Sequence, residues 1–127
     1  MILVRTMMST PLVTVEPTEY LAKAAWVMGH AKAGSALVMD AGSLVGILTE
    51  RDIMRAFADS DSADLARVAP VSAWMSADPV TVEADATAGE ALDLMLSKGF
   101  RHLPVIDGDE IVGVVSMRDL AQALSRG

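Results

Sequence analysis

The sequence contains no cysteine, which excludes disulfides, thiolate nucleophiles and zinc–thiolate sites from this chain. Aromatic residues make up only 4% of the chain, although hydrophobic residues as a whole make up 52%. A core of such small side chains favours close packing of helices on a sheet. No apolar run approaches the roughly 20 residues of a transmembrane helix, and the N-terminus does not resemble a signal peptide. We therefore expect a soluble, cytoplasmic protein.

Basic residues are also scarce, with 10 Lys and Arg against 17 Asp and Glu and a net charge of −7. This balance argues against nucleic acid and anionic membranes as partners, because both require a basic surface. It leaves room for one phosphorylated small molecule held by a few local arginines. The length of 127 residues fits one domain or two small modules.

The chain aligns with itself without a gap at an offset of 67 residues. The four letters VTVE occur at Val13–Glu16 and again at Val80–Glu83, and Arg51-Asp52 matches Arg118-Asp119. Two copies are too few for a solenoid. We therefore expect two similar halves packed about a pseudo-twofold axis.

Each copy predicts the element order β-α-β-β-α, so the fold class is mixed α/β (α+β). Apolar residues recur at helical spacing after a short β-branched strand, and each hairpin carries a turn rich in Asp and Gly. Gly34 and Gly99 lie near the ends of the first helices, where a positive φ is often needed. The predicted boundaries are 1–58 and 71–127 for the repeats, and 59–70 for a connector with a short helix. The other predicted elements are strands Val13–Val15, Ala36–Met39, Leu44–Leu48, Val80–Val82, Leu103–Ile106 and Ile111–Ser116, and closing helices Arg51–Ala58 and Met117–Leu124.

Each repeat ends its last strand with a hydroxyl and places an acid three residues later, at Thr49-x-x-Asp52 and Ser116-x-x-Asp119. One interpretation is a capping box, in which the hydroxyl and the acid satisfy the first N–H groups of a helix. The other is a ligand site, because a carboxylate can accept hydrogen bonds from the two hydroxyls of a ribose. A capping box prefers the longer Glu or Gln, so we expect these Asp side chains to point outward.

Together with the run RHLPVID at Arg101–Asp107, the two motifs GILTERD and GVVSMRD resemble those of a pair of CBS domains, or Bateman module. The resemblance extends from about Val4 to Leu124. It implies a stand-alone regulatory module that binds an adenosine nucleotide such as AMP, ADP or ATP in the cleft between the repeats. No obligatory cofactor and no metal are expected.

The resemblance also implies that each pocket draws on both repeats. The pocket of Thr49 and Asp52 would take its base contacts and phosphate contacts from the second repeat. Those contacts are Val80 and Phe100 for the base, and Arg101, His102 and Arg118 for the phosphate. The pocket of Ser116 and Asp119 would take its contacts from the first repeat, namely Val13, Ala33, Gly34 and Arg51.

The basic pair Arg101-His102 distinguishes the copies, because the first repeat has Gly34-Ser35 at that place. The pair could also be a surface charge beside a partly buried strand residue. If it faces phosphate, charge-assisted hydrogen bonds would make the Asp52 pocket the better phosphate site.

Trp26 lies on the helix wheel away from the apolar face of its own helix, so it is either an exposed residue or the anchor of a homodimer contact. Trp74 is expected to pack in the core.

No catalytic motif is present, and the matched carboxylates suit duplicated binding sites better than an acid and a base. We therefore expect no enzyme. The alternative to a nucleotide-binding regulator of an unknown partner protein is a structural dimerisation or partner-binding module without ligand.

Overall fold

The computed structural model describes residues 1–126, and it contains the β-α-β-β-α order twice. Its strands are β1 (Thr14–Val15), β2 (Ser35–Asp40), β3 (Ser43–Thr49), β4 (Ser76–Ala77), β5 (Val82–Glu83), β6 (His102–Asp107) and β7 (Glu110–Ser116). Its α-helices are α1 (Leu21–Ala31), α2 (Glu50–Asp59), α3 (Ala63–Val68), α4 (Ala88–Lys98) and α5 (Met117–Arg126). Short 3-10 helices occur at Val4–Thr6 and Val71–Ala73.

The chain packs as two compact units that divide it differently from the repeats. The contiguous unit is Val13–Pro79, and the split unit combines Met1–Leu12 with the residues from Val80 onward. The core of each repeat is therefore completed by the opening segment of the other repeat.

In the contiguous unit, four strands form a sheet in the order β1-β2-β3-β4. Strand β1 runs parallel to β2, and the β2–β3 hairpin and the β3–β4 pair are antiparallel. Apolar residues at helical spacing in α1 bury Leu21, Ala24 and Met28 against this sheet. Burial of these side chains supplies the main stabilisation of the unit.

The split unit repeats this arrangement with a sheet in the order β5-β6-β7. The N-terminal segment completes its core, because Val4 is fully buried there and its N–H donates to the carbonyl of Ala86 at 2.8 Å. Further along, the N–H of Ser9 donates to the carbonyl of Val114 at 2.8 Å. The Arg5 guanidinium donates twice to Asp85, and this hydrogen bond raises the pKa of Arg5 above its ordinary value.

The two completing segments make matching contacts with a glycine. A Cβ on Gly113 would lie 2.7 Å from the Sδ of Met8 and 3.0 Å from the carbonyl oxygen of Ser9. In the contiguous unit, a Cβ on Gly46 would lie similarly close to the side chain of Met75. The glycines in the two sequence motifs are therefore required by the approach of these segments.

The predicted fold class, the two hairpins and the paired helices are confirmed, and the connector contains the expected short helix, capped by Ser62. The prediction for Gly34 is wrong, because Lys32 takes the left-handed conformation that ends α1, with φ of 54°. Gly99 does end α4 with a positive φ, of 76°. Within residues 1–126, no helix has the length and apolar character needed to cross a bilayer.

Candidate functional site

The first hydroxyl–acid motif stands where β3 passes into α2. The Thr49 hydroxyl accepts a hydrogen bond from the N–H of Asp52 at 3.2 Å, and the Asp52 carboxylate accepts one from the N–H of Thr49 at 2.9 Å. This is a complete capping box. The Thr49 hydroxyl also donates to Oδ2 of Asp52 at 3.0 Å.

The expectation that Asp52 points outward is wrong, since the residue is only 6% exposed. A helical Cβ tilts toward the helix N-terminus, so even the short carboxylate reaches the N–H of Thr49. Its second oxygen, Oδ1, accepts a hydrogen bond from Nη1 of Arg55 at 3.2 Å. The Arg55 guanidinium also stands 5.8 Å from the ring centroid of Trp74. Both oxygens of Asp52 therefore accept hydrogen bonds within the unit, and no sequence pattern predicted the contact with Arg55.

The second motif stands where β7 passes into α5 and is bonded less completely. The Asp119 carboxylate accepts a hydrogen bond from the N–H of Ser116 at 2.9 Å, and the Ser116 hydroxyl accepts one from the N–H of Asp119 at 3.0 Å. The Asp119 side chain, which was also expected to point outward, folds back onto the helix start. It remains half-buried, and its Oδ1 accepts no hydrogen bond from residues 1–126.

The basic pair Arg101-His102 lies beside this second motif within the split unit. His102 is the register partner of Ser116 across the β6–β7 hairpin, so the two side chains share one face of the sheet. The carbonyl of Arg101 accepts a hydrogen bond from the N–H of Met117 at 2.8 Å, and its side chain is exposed. The backbone of Arg101, which carries a cationic side chain, therefore lies next to the backbone of the hydroxyl–acid motif.

The corresponding place in the contiguous unit has no cation. Ser35 is the register partner of Thr49, and the carbonyl of Gly34 accepts a hydrogen bond from the N–H of Glu50 at 3.0 Å. The difference between Arg101-His102 and Gly34-Ser35 thus falls at equivalent strand ends of the two units.

The remaining predicted contacts lie in both units. The split unit holds Val80 and Phe100, half-buried against its core, and Arg118, which is exposed. The contiguous unit holds Val13 and Ala33, which are half-buried, and Arg51, which is exposed. The assignment of each predicted pocket to residues of both repeats stays a prediction.

A cavity of about 380 Å³ in the split unit opens onto Asp119. Helix α5 lines it with Asp119, Gln122, Ala123 and Arg126. The N-terminal segment supplies the other wall, with Ile2, Thr6 and Met7. These three residues were not predicted as site residues, because they stand at least 110 positions before α5 in the sequence and no periodic pattern links them to it.

Trp26 is 59% exposed, as predicted, and its ring stacks on His30 with 3.9 Å between centroids. Trp74 packs half-buried against the core of the contiguous unit, also as predicted. Among the 126 described residues, no group of three or more His, Asp or Glu side chains is arranged to hold a metal ion.

Sequence comparison with known proteins matches both repeats to one family. The family model of the CBS domain matches residues 4–59 and again residues 71–126. An uncharacterized 17.7 kDa protein of Acidianus ambivalens is 41% identical over 118 residues, covering 91% of this chain and 69% of the relative.

Solved structures share the fold over almost the whole chain. The crystal structure of a CBS-domain containing protein from Agrobacterium tumefaciens is 29% identical, with a TM-score of 0.87, and the match covers 96% of this chain and 92% of that one. The structure of CBSX2 in complex with AMP is 21% identical, with a TM-score of 0.81 and coverage of 98% and 97%.

Proposed function

The chain belongs to the CBS-domain family, and we propose that it is a regulatory module that binds an adenine nucleotide and passes the signal to a partner protein. The observation that carries this proposal is the strand end of the split unit. There Ser116 and Asp119 are joined by hydrogen bonds, Asp119 lines a cavity, and the backbone of the exposed Arg101 bonds to the next residue, Met117.

The chemistry of these groups suits a nucleotide. Two adjacent ribose hydroxyls donate hydrogen bonds, and Oδ1 of Asp119 is an acceptor with no partner among residues 1–126. A phosphate needs charge-assisted donors, which a guanidinium supplies in planar pairs. Because the chain as a whole carries a net charge of −7, such local cations would decide which anions bind.

AMP is bound by CBSX2, whose structure shares this fold. At 21% identity that likeness extends to the fold alone, so the choice of ligand rests on the residues of this chain. The signal would arise by linkage: a nucleotide that binds one conformation more tightly than another shifts the population toward it, and the partner reads the altered surface. Catalysis is not part of this proposal.

A thermal-shift screen with AMP, ADP, ATP, S-adenosylmethionine and NAD tests the proposal. A ligand that binds only the folded chain at 100 times its Kd stabilises it by about 2.7 kcal/mol, which raises the unfolding midpoint measurably. We expect at least one adenine nucleotide to do so, with guanosine monophosphate as the control. If every adenosyl compound leaves the midpoint unchanged, the nucleotide-binding function is wrong.

A specific observation favours the second candidate, a module for dimerisation or partner binding. Three helices of the contiguous unit each expose large apolar side chains to solvent. These are Trp26 on α1 at 59%, Met54 on α2 at 71% and Leu65 on α3 at 56%. Exposed aromatic and methionine side chains are enriched at protein interfaces. This candidate is compatible with ligand binding, because an interface can be the surface that a ligand alters.

A further inference from the structure

Three residues that line the cavity beside Asp119 have counterparts in the other unit. At the offset of 67 residues, Asp119 corresponds to Asp52, Gln122 to Arg55 and Met7 to Trp74. All three residues of the split unit line the open cavity. Their counterparts instead contact one another, with Arg55 3.2 Å from the Asp52 carboxylate and 5.8 Å from the Trp74 ring centroid.

Asp52 also accepts more hydrogen bonds than Asp119 does. Oδ2 of Asp52 accepts two hydrogen bonds from Thr49, and Oδ1 accepts one from Arg55. The Asp52 side chain is only 8% exposed. From residues 1–126, Asp119 accepts a single hydrogen bond, through Oδ2, and it lines the cavity.

A ribose must find free acceptors for its two hydroxyls, and displacing existing partners has a cost. At Asp52 a ligand would have to break the charge-assisted bond from Arg55, and the guanidinium would also leave the face of Trp74. At Asp119 it would meet an acceptor that needs no rearrangement. Pre-organised sites of this second kind bind more tightly for the same contacts.

We propose that Asp119 holds the single nucleotide site of the chain, and that Arg55 with Trp74 closes the equivalent position at Asp52. This inference rests on the proposed function and names which of the duplicated acids serves it. It reverses the preference for the Asp52 pocket that the sequence suggested. Arg55 acts here as a specificity-determining residue, because it decides which of two similar acids is open.

An exchange of the differing residues between the units tests the proposal by isothermal titration with AMP. The wild-type chain should bind one AMP. The exchange Arg55→Gln with Trp74→Met gives the contiguous unit the residues of the split unit, and a second, weaker binding event should appear. The reverse exchange, Gln122→Arg, places a guanidinium three residues after Asp119, and it should lower the affinity at least tenfold.

Conservative substitutions of the two acids complete the experiment, since Asn keeps a side-chain oxygen that can accept from the N–H of Thr49 or Ser116. Asp119→Asn should lower AMP affinity at least tenfold, and Asp52→Asn should change it less than twofold, with thermal unfolding confirming that both variants fold. A tenfold loss confined to Asp52→Asn, or two equal sites in the wild type, would overturn this inference and leave the proposed function standing. Failure of the wild type to bind AMP, ADP or ATP would remove both.

Discussion

Among single residues, Asp52 accepts the most hydrogen bonds in the candidate site, and it is the one buried charged side chain among residues 1–126. Asp52→Ala removes these bonds and so breaks the capping box at the first turn of α2. We expect the free energy of unfolding to fall by about 1–3 kcal/mol, measured by urea denaturation. Asp119→Ala is the matched control and should have a smaller effect, because its carboxylate is half-buried and makes fewer bonds. Equal losses would show that burial and Arg55 add nothing at Asp52.

Arg101 is the residue whose charge should separate a nucleotide from a nucleoside. Arg101→Ala removes a cation that can bond to phosphate but has no partner on adenosine. We expect AMP binding to weaken by about 1.5–3 kcal/mol and adenosine binding to stay the same, as measured by isothermal titration. The effect should shrink as salt is raised, because salt screens exposed charges.

Arg67→Ala is the control for that experiment, since Arg67 is also exposed but lies on α3, outside both hydroxyl–acid motifs. It should cost less AMP affinity than Arg101→Ala. A loss of adenosine affinity as large as the loss of AMP affinity would place Arg101 outside the phosphate contacts.

The hydroxyl–acid motifs could be recognised in the sequence as candidate site residues because the repeat places them at matching positions. It predicted the direction of the Asp side chains wrongly, because the preference for Glu or Gln describes average capping boxes and not the reach of a particular carboxylate. Arg55 was missed because an arginine three residues after an acid is common on any helix surface. Its pairing with Trp74 depends on how the opening segment of the second repeat packs against the first.

At the scale of elements, the segments that complete each unit depend on a glycine in the opposing strand. Gly113→Ala would place a Cβ 2.7 Å from Sδ of Met8 and 3.0 Å from the carbonyl oxygen of Ser9. The thioether can move, but the Ser9 carbonyl is backbone. We expect a loss of about 1–3 kcal/mol in the free energy of unfolding, measured by urea denaturation.

Gly29→Ala is the matched change at an open position, because a Cβ there would meet no atom within 4 Å. Gly29 lies inside α1, where alanine is the better helix former, so this variant should gain about 0.5–1 kcal/mol. If both variants changed stability in the same direction, the close approach of Met8 and Ser9 would not be the cause.

The longer elements were predictable because their apolar residues follow a period of 3.6 or 2. The pairs and triplets of residues that form β4 and the 3-10 helices are too short to show a period. The partners of these short elements lie far along the chain: Ser76 pairs with Ile47, and Val4 bonds to Ala86. Such pairings depend on tertiary contacts, which local sequence does not encode.

At the scale of the whole molecule, the two compact units differ in continuity. The contiguous unit is one stretch of chain, so a fragment of residues 13–79 should fold and unfold cooperatively in urea, followed by circular dichroism. A fragment of residues 80–127 lacks the buried Val4 and the bonds of Ser9, so it should remain largely unfolded.

A circularly permuted fragment provides the matched test. Joining residues 1–12 behind residue 127 through a flexible glycine–serine linker restores the missing segment, and cooperative unfolding should return. If residues 80–127 alone unfold as cooperatively as the permuted fragment, the N-terminal segment is not needed for that core.

The exposed Trp26 leads to a prediction about assembly. If it anchors a homodimer, Trp26→Glu should shift the mass measured by light scattering toward that of the monomer, with little effect on stability because the ring is 59% exposed. Leu96→Glu is the control, since Leu96 is 67% exposed on α4 of the split unit. An unchanged mass for Trp26→Glu would exclude this tryptophan from an interface.

The split unit also sets an order of events during synthesis. Translation delivers the N-terminus first, at roughly 5–20 residues per second, yet the partners of Val4 and Ser9 are made after the whole contiguous unit has been translated. The contiguous unit can fold on the ribosome while residues 1–12 have no partners yet, so that Ile2, Leu3 and Val4 are exposed to solvent. Residues 1–12 can pack only after β7 has left the exit tunnel, so a segment made before the contiguous unit becomes structured after it.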